Sequence, residues 1–374
     1  MKSTQNDLLY NSVEKDIPEI IKSSKSLNTT MKALVYEGPG KMKFKDVPKP
    51  VIQLSTDALV KLLKTTICGT DLGILKGKTP SVKPGTTLGH EGIGVIEEVG
   101  SSIRNFKKGD RVIISCITSD GTCEYCKKQM YSHCKDGGWI LGNTINGTQA
   151  EFVRIPHADN SLYHLPLGND EEEMVMLSDI LPTGHEIGVI NGNVKPGDTI
   201  AIVGAGPVGM SALLTSLFYS PAKIYMIDLD ENRLQLAKES GATEILNFAQ
   251  VDVVKKIMSE TNDGVDVAIE AVGVSDTFDL CQNIIRPGGH IAIVGVHGHS
   301  VDFQLQKLWM RNITLTTGLV NTNTTNMLLK TIRAGKLKPA TLMAHHYKLD
   351  QIMEAYAVFG NAAKEKAMKV ILEC

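Results

Sequence analysis

Hydrophobic positions change their rhythm along this chain near residue 180. Before that point, short runs that alternate or cluster β-branched residues are separated by glycine turns. Met31-Lys32-Ala33-Leu34-Val35-Tyr36 leads into the turn Gly38-Pro39-Gly40, and residues 58–64 and 92–99 read as further strands. Beyond it, Thr199-Ile200-Ala201-Ile202-Val203 is apolar at nearly every position, as expected of a strand covered on both faces, and a helix-like segment runs on to about residue 219. Such pairs repeat. Residues 224–227 precede a helix ending near Gly241, residues 265–269 precede a helix ending at Pro287-Gly288-Gly289, and residues 290–296 give another buried strand. This alternation predicts a doubly wound α/β domain with a parallel sheet and right-handed crossovers, preceded by a mainly β domain.

An irregular, cysteine-containing stretch occupies residues 116–147. Near the end, residues 349–363 have helical spacing and Met368-Lys369-Val370-Ile371-Leu372 reads as a closing strand. The chain is therefore expected to divide into an extension (1–30), the first part of the β domain (31–179), the dinucleotide domain (180–320) and a C-terminal return to the first domain (321–374).

Composition narrows the function. With 374 residues the chain is long enough for two cores, and 39 Lys plus Arg against 41 Asp plus Glu leaves a net charge of -2. No global field attracts nucleic acid or anionic lipid, so a small-molecule partner is expected. No apolar run approaches the roughly 20 residues that cross a bilayer. Residues 1–30 mix acidic residues with four lysines and have no apolar core of a secretory signal, which makes a flexible arm and a cytoplasmic location the expectation. Seven cysteines, two of them in Cys123-Glu124-Tyr125-Cys126, point to metal or thiol chemistry over disulfides.

The sharpest cofactor signal is Gly204-Ala205-Gly206-Pro207-Val208-Gly209, directly after a predicted strand. The first glycine permits the tight turn, the second admits a pyrophosphate to the backbone, and the third lets the helix pack closely. The helix N-terminus supplies free N–H groups to the phosphates. Asp228 follows 24 residues after Gly204, where its carboxylate can accept from the adenine ribose hydroxyls. That negative charge opposes a 2′-phosphate, so NAD is favoured over NADP; Arg233 is the residue that speaks for the phosphate.

A catalytic zinc needs three protein ligands and one open position. Cys68, His90 and Asp179 stand in glycine-flanked or loop-like contexts, the third just before the dinucleotide domain. Taken singly, a cysteine is usually core and an aspartate after serine is often a helix cap. Asp71 is placed to accept a hydrogen bond from the other ring nitrogen of His90.

Taken together, Gly89-His90-Glu91-Gly92, Cys68-Gly69-Thr70-Asp71 and Gly264-Val265-Asp266 resemble the zinc-containing alcohol dehydrogenases of the medium-chain dehydrogenase/reductase superfamily, over residues 31–374. The resemblance implies a GroES-like first domain and zinc at Cys68 and His90, with a third ligand that is Cys in many members and Asp in others, as at Asp179. It implies that Glu91 lies behind the metal and that Thr70 takes the alcohol proton. The histidine that often ends the family's relay is replaced by Gly73, which leaves the cofactor ribose and water to complete it. It also implies a homotetramer or homodimer, and backbone groups of Val294, Gly295 and Val296 at the nicotinamide. Many members carry a second, structural zinc on four cysteines. The matching positions are Asp120, Cys123, Cys126 and Cys134, so the first ligand has become a carboxylate.

Trp139 is either a substrate-pocket wall or simple packing, and His185 is read as a structural histidine near the cleft. Cys116, Cys281 and Cys374 have no metal-like spacing and read as core or terminal residues. The expected activity is reversible conversion of an alcohol to an aldehyde or ketone. A polyol or hydroxy-amino-acid dehydrogenase with a more polar pocket, and a catalytically silent zinc and nucleotide binder, are the alternatives.

Overall fold

The computed structural model describes residues 29–166, 168 and 171–374. The extension expected at residues 1–30 thus lies outside the described residues, apart from its last two.

Two sheets carry the architecture. Strands β3 (Ala58–Thr66), β4 (Gly92–Val99), β5 (Arg111–Ile114) and β7 (Leu162–His164) pair antiparallel in that order, with β6 (Phe152–Ile155) also on β3. The chain end joins the same sheet: β15 (Lys369–Glu373) runs antiparallel to β3, and β14 (Met343–Lys348) runs parallel to β15. A hairpin of β1 (Thr30–Gly38) and β2 (Lys41–Pro48) stands apart from it. The predicted return of the C-terminus to the first domain is therefore observed.

The second sheet has six strands, all parallel, in the order β10 (Glu244–Asn247), β9 (Lys223–Asp228), β8 (Thr199–Val203), β11 (Val265–Glu270), β12 (Ile285–Ile293), β13 (Thr314–Thr317). The order reverses direction at β8 and β11, which makes the crevice beyond their carboxyl ends the topological site for a dinucleotide. Ile200 to Val203 are buried on both faces, as their uninterrupted apolar pattern demands.

One boundary differs from expectation. The helix after β11 spans Ser275–Ile284, and Pro287-Gly288-Gly289 lies inside β12. Strand β12 ends at Ile293, so Val294, Gly295 and Val296 form the loop beyond it, with Val296 85% exposed. A Pro-Gly-Gly run marks a helix stop by default, but here the shift in register between Val265 and Val267 absorbs it within the ladder.

A single apolar core joins the two sheets. Ile93, Ile113 and Ile371 of the first sheet and Ile200, Ile202 and Val267 of the second belong to one cluster, bridged by Met174, Leu177 and Leu181. Asp179 sits within that bridge, and this is how a residue from the seam reaches ligands from the first sheet.

Candidate active site

Three local structures deliver the proposed metal ligands. Cys68 follows β3 and caps the short helix Gly69–Leu75, whose third residue, Asp71, accepts a hydrogen bond from the Cys68 amide at 2.9 Å. His90 closes the loop that enters β4. Asp179 falls between the turns Met176–Ser178 and Ile180–Thr183. The Thr183 hydroxyl donates to its Oδ1 at 2.6 Å, which leaves Oδ2 facing His90 Nε2 at 3.3 Å and Cys68 Sγ at 3.9 Å.

The ligand atoms of Cys68, His90, Glu91 and Asp179 all lie within 4.8 Å of one another. Burial opposes charge on both partners, yet Asp179 and Cys68 push the His90 pKa well up, and His90 brings Asp179 down to about 2. Acceptors thus converge on one ring nitrogen, the electrostatic situation that a cation relieves. Thiolate, imidazole and carboxylate are also the donor set that zinc takes.

Glu91 is held from behind. Its Oε2 is paired with the ammonium of Lys369 and accepts from the Thr66 hydroxyl, while Oε1 is buried with no partner. An unpartnered buried carboxylate oxygen at the edge of a ligand cluster fits a nearby cation.

The second-nitrogen partner of His90 is not as expected. Asp71 Oδ1 lies 3.8 Å from His90 Nδ1, beyond hydrogen-bond range, and has no hydrogen-bond partner of its own. The other oxygen is committed to the Cys68 amide and to Gln149 Nε2 at 3.1 Å, which anchors the carboxylate on the helix side. Asp71 therefore acts on His90 through charge across a short gap. Thr70 is half-buried at the second position of the same helix.

Several participants carry no motif. Lys369, Thr66, Gln149 and Tyr356 form a buried frame around Glu91 and Asp71, with the Tyr356 hydroxyl donating to Gln149 Oε1 at 2.8 Å. They come from β3, the 149 loop and the C-terminal return, so only the three-dimensional fold assembles them. Cys116 is a further case. Its thiol, read from sequence as core, is buried, and burial together with the negative charge of Asp179 pushes its pKa well up. Trp139 meets His90 edge to face at 6.2 Å between ring centroids.

The second cluster also forms. Ligand atoms of Asp120, Cys123, Cys126 and Cys134 lie within 4.8 Å of one another. Asp120 Oδ1 accepts from the amides of Thr122 at 2.5 Å and Cys123 at 2.8 Å, and these bonds outweigh burial and hold the carboxyl well below its usual range. Backbone amides of Cys126 and Lys135 bring the Cys123 thiol down to about 7, while burial pushes Cys126 up to about 12. One carboxylate oxygen and three sulfurs remain available to an ion. Ser132 ties this lobe to the segment that follows β13, its hydroxyl donating to Asn321 Oδ1 at 2.8 Å.

At the dinucleotide fingerprint, Gly204 has φ +106 and a side chain at Gly209 would collide with the Gly204 carbonyl, so both positions require glycine. Above Gly206 nothing but the Arg233 guanidinium comes within 4 Å, at 3.9 Å, and the Arg233 Nε is buried without a partner. The amides of Val208 and Gly209 open the helix Pro207–Ser216, where no intrahelical carbonyl serves them. This is a cradle shaped for a pyrophosphate. Asp228 ends β9 and its carboxylate accepts from the amides of Ala205 (2.6 Å), Leu229 (2.7 Å) and Asp230 (2.9 Å), leaving lone pairs toward the crevice.

Opposite lies the loop 294–296. The amides of Val294 and Gly295 donate to the Glu270 carbonyl at 2.8 and 3.0 Å. The fully buried Glu270 carboxylate joins two loops: Oε1 accepts from Val272 and Gly273, and Oε2 faces His297 Nε2 at 3.2 Å. Sequence alone offers no sign of this tie. His185 is buried, with its Nε2 3.2 Å from the Tyr219 hydroxyl and its Nδ1 without a hydrogen-bond partner.

Similarity to known proteins agrees with this arrangement. The alcohol dehydrogenase GroES-like domain matches residues 55–166 and the zinc-binding dehydrogenase domain matches residues 207–334. An alcohol dehydrogenase of Cupriavidus necator is 34% identical over 368 residues, covering 93% of this chain and all of that one. Among solved structures, a zinc-dependent alcohol dehydrogenase 2 from Streptococcus pneumoniae in its apo form has 55% identity and TM-score 0.88 over 92% of this chain and 98% of its own. A zinc-binding dehydrogenase from Sinorhizobium meliloti, bound to NADP, has 27% identity and TM-score 0.83 over 92% of this chain and 100% of its own. With a β domain bearing the Cys68, His90 and Asp179 cluster and a six-stranded dinucleotide domain behind it, the chain belongs to the zinc-containing alcohol dehydrogenases of the medium-chain dehydrogenase/reductase superfamily.

Proposed function

We propose that this chain is a zinc-dependent, NAD-linked dehydrogenase that reversibly converts an alcohol into an aldehyde or ketone. The observation that carries the reading is the convergence of Cys68, His90 and Asp179 around a buried, unpartnered Glu91 oxygen. Cys68, His90 and Asp179 would hold the catalytic zinc; bound there, it would polarise the substrate oxygen and favour loss of its proton. Thr70 would accept that proton at its hydroxyl oxygen while its own proton passes on toward the cofactor ribose and water. Asp71 biases the His90 ring by charge, and Lys369 with Thr66 holds one oxygen of Glu91, leaving the other toward the ligand cluster. Asp120, Cys123, Cys126 and Cys134 would hold a second, structural zinc.

For the nicotinamide cofactor, Gly204, Gly206 and the amides of Val208 and Gly209 support the pyrophosphate, beside Arg233. Asp228 supports NAD, because an anionic side chain at that strand end disfavours a 2′-phosphate. Backbone groups of Val294, Gly295 and Val296 would hold the nicotinamide. No helix among the described residues is long and apolar enough to cross a membrane. A cytoplasmic homodimer or homotetramer is consistent with Leu305, Trp309 and Met310, which are 57%, 66% and 71% exposed near the edge strand β13.

The test is NAD reduction by a panel of primary, secondary and polyhydric alcohols, with zinc counted per chain. Turnover with two zincs supports the reading, and well-folded, zinc-loaded protein without turnover on any alcohol would replace it with a silent metal and nucleotide binder.

A further inference from the structure

The chain passes between its two sheets twice, once from β7 to β8 and once from β13 to β14. The first crossing contains Asp179, goes through the turn Ile180–Thr183 and continues as a helix wound in π geometry over Gly184–Ile190. The second leaves β13 and enters the helix Thr325–Arg333. One buried side chain joins them. Glu186, on the first crossing, accepts four hydrogen bonds from the second: Oε2 from the amides of Asn321 at 2.9 Å and Thr322 at 3.1 Å, and Oε1 from the amide of Thr324 at 2.8 Å and its hydroxyl at 2.9 Å. These donors fill the carboxylate.

The backbone is strained where the two crossings meet. Thr322 has φ +61, a left-handed conformation that a β-branched residue rarely adopts, and it is buried. Such a residue persists only where its surroundings over-determine it. Besides the Glu186 bond to its amide, its carbonyl accepts from the Tyr163 hydroxyl at 2.8 Å, and its own hydroxyl bonds Ser115 Oγ at 2.9 Å. The cysteine-bearing lobe holds the neighbours on either side. The Ser132 amide donates to Asn321 Oδ1 at 3.0 Å, and Asn323 Nδ2 donates to the Gln129 carbonyl at 3.1 Å.

The helix that carries Glu186 connects both halves of the proposed chemistry. It follows directly on the turn after Asp179, and its Gly188 lies so close to Ile269 and Val294 that an added Cβ would stand 3.3 and 3.6 Å from their side chains. Gly318 of the second crossing packs on Ile187 as tightly, at 3.0 Å by the same measure. A displacement of the second crossing is therefore passed to this helix, and from it to a metal ligand and to the loop assigned to the nicotinamide.

Resting on the dehydrogenase reading above, we propose that Glu186 is a positioning residue: it holds Thr322 in its left-handed conformation and so keeps Asp179 and the 294–296 loop in register for hydride transfer. Its effect belongs to kcat and not to cofactor affinity, because the glycine loop and Asp228, which would hold the rest of the nucleotide, stand on other elements.

The experiment starts from Glu186→Gln, which leaves one acceptor oxygen and turns an N–H₂ group toward the donors. With the alcohol of the panel above that wild type oxidises fastest, this variant should lower kcat by about tenfold or more while the NAD dissociation constant changes by less than about threefold, since misplaced reactants lose rate before they lose affinity. Hydrogen exchange should quicken in peptides spanning residues 180–190. Adding Thr322→Gly supplies a residue that holds a positive φ unaided, so the double variant should return kcat to within about threefold of wild type and slow the exchange again. Tyr163→Phe releases the same residue at its carbonyl and carries the same prediction, with the same recovery, if Glu186→Gln fails to fold. Wild-type kcat in the single variant, or a loss that Thr322→Gly does not recover, would overturn the proposal and leave the dehydrogenase reading standing. Absence of turnover with every alcohol in wild type would instead remove the dehydrogenase reading and this proposal with it.

Discussion

Lys369 and Glu91 form an ion pair directly behind the proposed catalytic metal, and each side chain is only 1% exposed. The lysine comes from the last strand and the glutamate from the loop into β4, 278 residues apart. Charges this deep are tolerated only in pairs, and removing one partner of a buried pair costs about 3 to 5 kcal/mol. Lys369→Met should therefore lose about that much in a denaturant titration at neutral pH. Adding Glu91→Gln to the same chain should recover most of it, and a loss below about 1 kcal/mol in the single variant would show that Glu91 is balanced from elsewhere.

Asp228 ties the Ala205 amide of the glycine loop and is proposed to meet the adenine ribose. Asp228→Ala should weaken NAD and raise the ratio of kcat/KM for NADP over NAD by tenfold or more, read in parallel assays with the two cofactors. Arg233, lying over Gly206, is the group that would then meet the additional phosphate. An unchanged ratio would refute the assignment of Asp228 to the ribose.

For the lobe, Asp120→Ala should lower bound zinc by one per chain and reduce Tm by several degrees, with the catalytic zinc retained. Its carboxylate also caps the Thr122 and Cys123 amides, so Asp120→Asn is the needed companion: it keeps an acceptor for those amides and supplies a poorer ligand. Equal zinc in wild type and both variants would mean that Asp120 is no ligand.

His185 supplies a pH signature and belongs to neither metal-ligand cluster. Burial lowers its pKa to about 4, so the folded protein keeps it neutral where the unfolded chain, titrating near 6.5, takes up a proton. The unfolded state thus binds more protons between those values, and this contribution to stability is present above about pH 6.5 and is lost as pH falls toward 4. The slope of unfolding free energy against pH should be shallower in His185→Gln by up to about one proton over that window. Parallel curves for the two proteins would show that burial does not hold His185 neutral.

Much of the architecture was legible from the chain. The continuous apolar run at β8 and the apolar-rich run at β11, each followed by a helical segment, predicted the parallel sheet, and Met368 to Leu372 predicted the returning strand. The Pro287-Gly288-Gly289 run misled, because a local turn signal does not reveal that a register shift in the neighbouring strand can accommodate it. Among site residues, those in short spaced motifs, Cys68, His90 and the glycines at 204, 206 and 209, were readable because backbone geometry imposes their spacing. Lys369, Thr66, Gln149, Glu270 and Cys116 were not, since each acts through a contact between segments far apart in sequence. The gap between Asp71 and His90 likewise depends on Gln149, which no pattern near Asp71 announces.

Cys68, His90 and Asp179 are proposed to hold a zinc without which no alcohol is oxidised. The most direct test is the zinc content of Cys68→Ala beside wild type, measured with NAD affinity and alcohol turnover on the same preparations. Wild type should hold two zincs per chain and the variant one, with similar NAD affinity in both and turnover in wild type alone. Full zinc in Cys68→Ala, or turnover at the wild-type rate, would contradict this assignment.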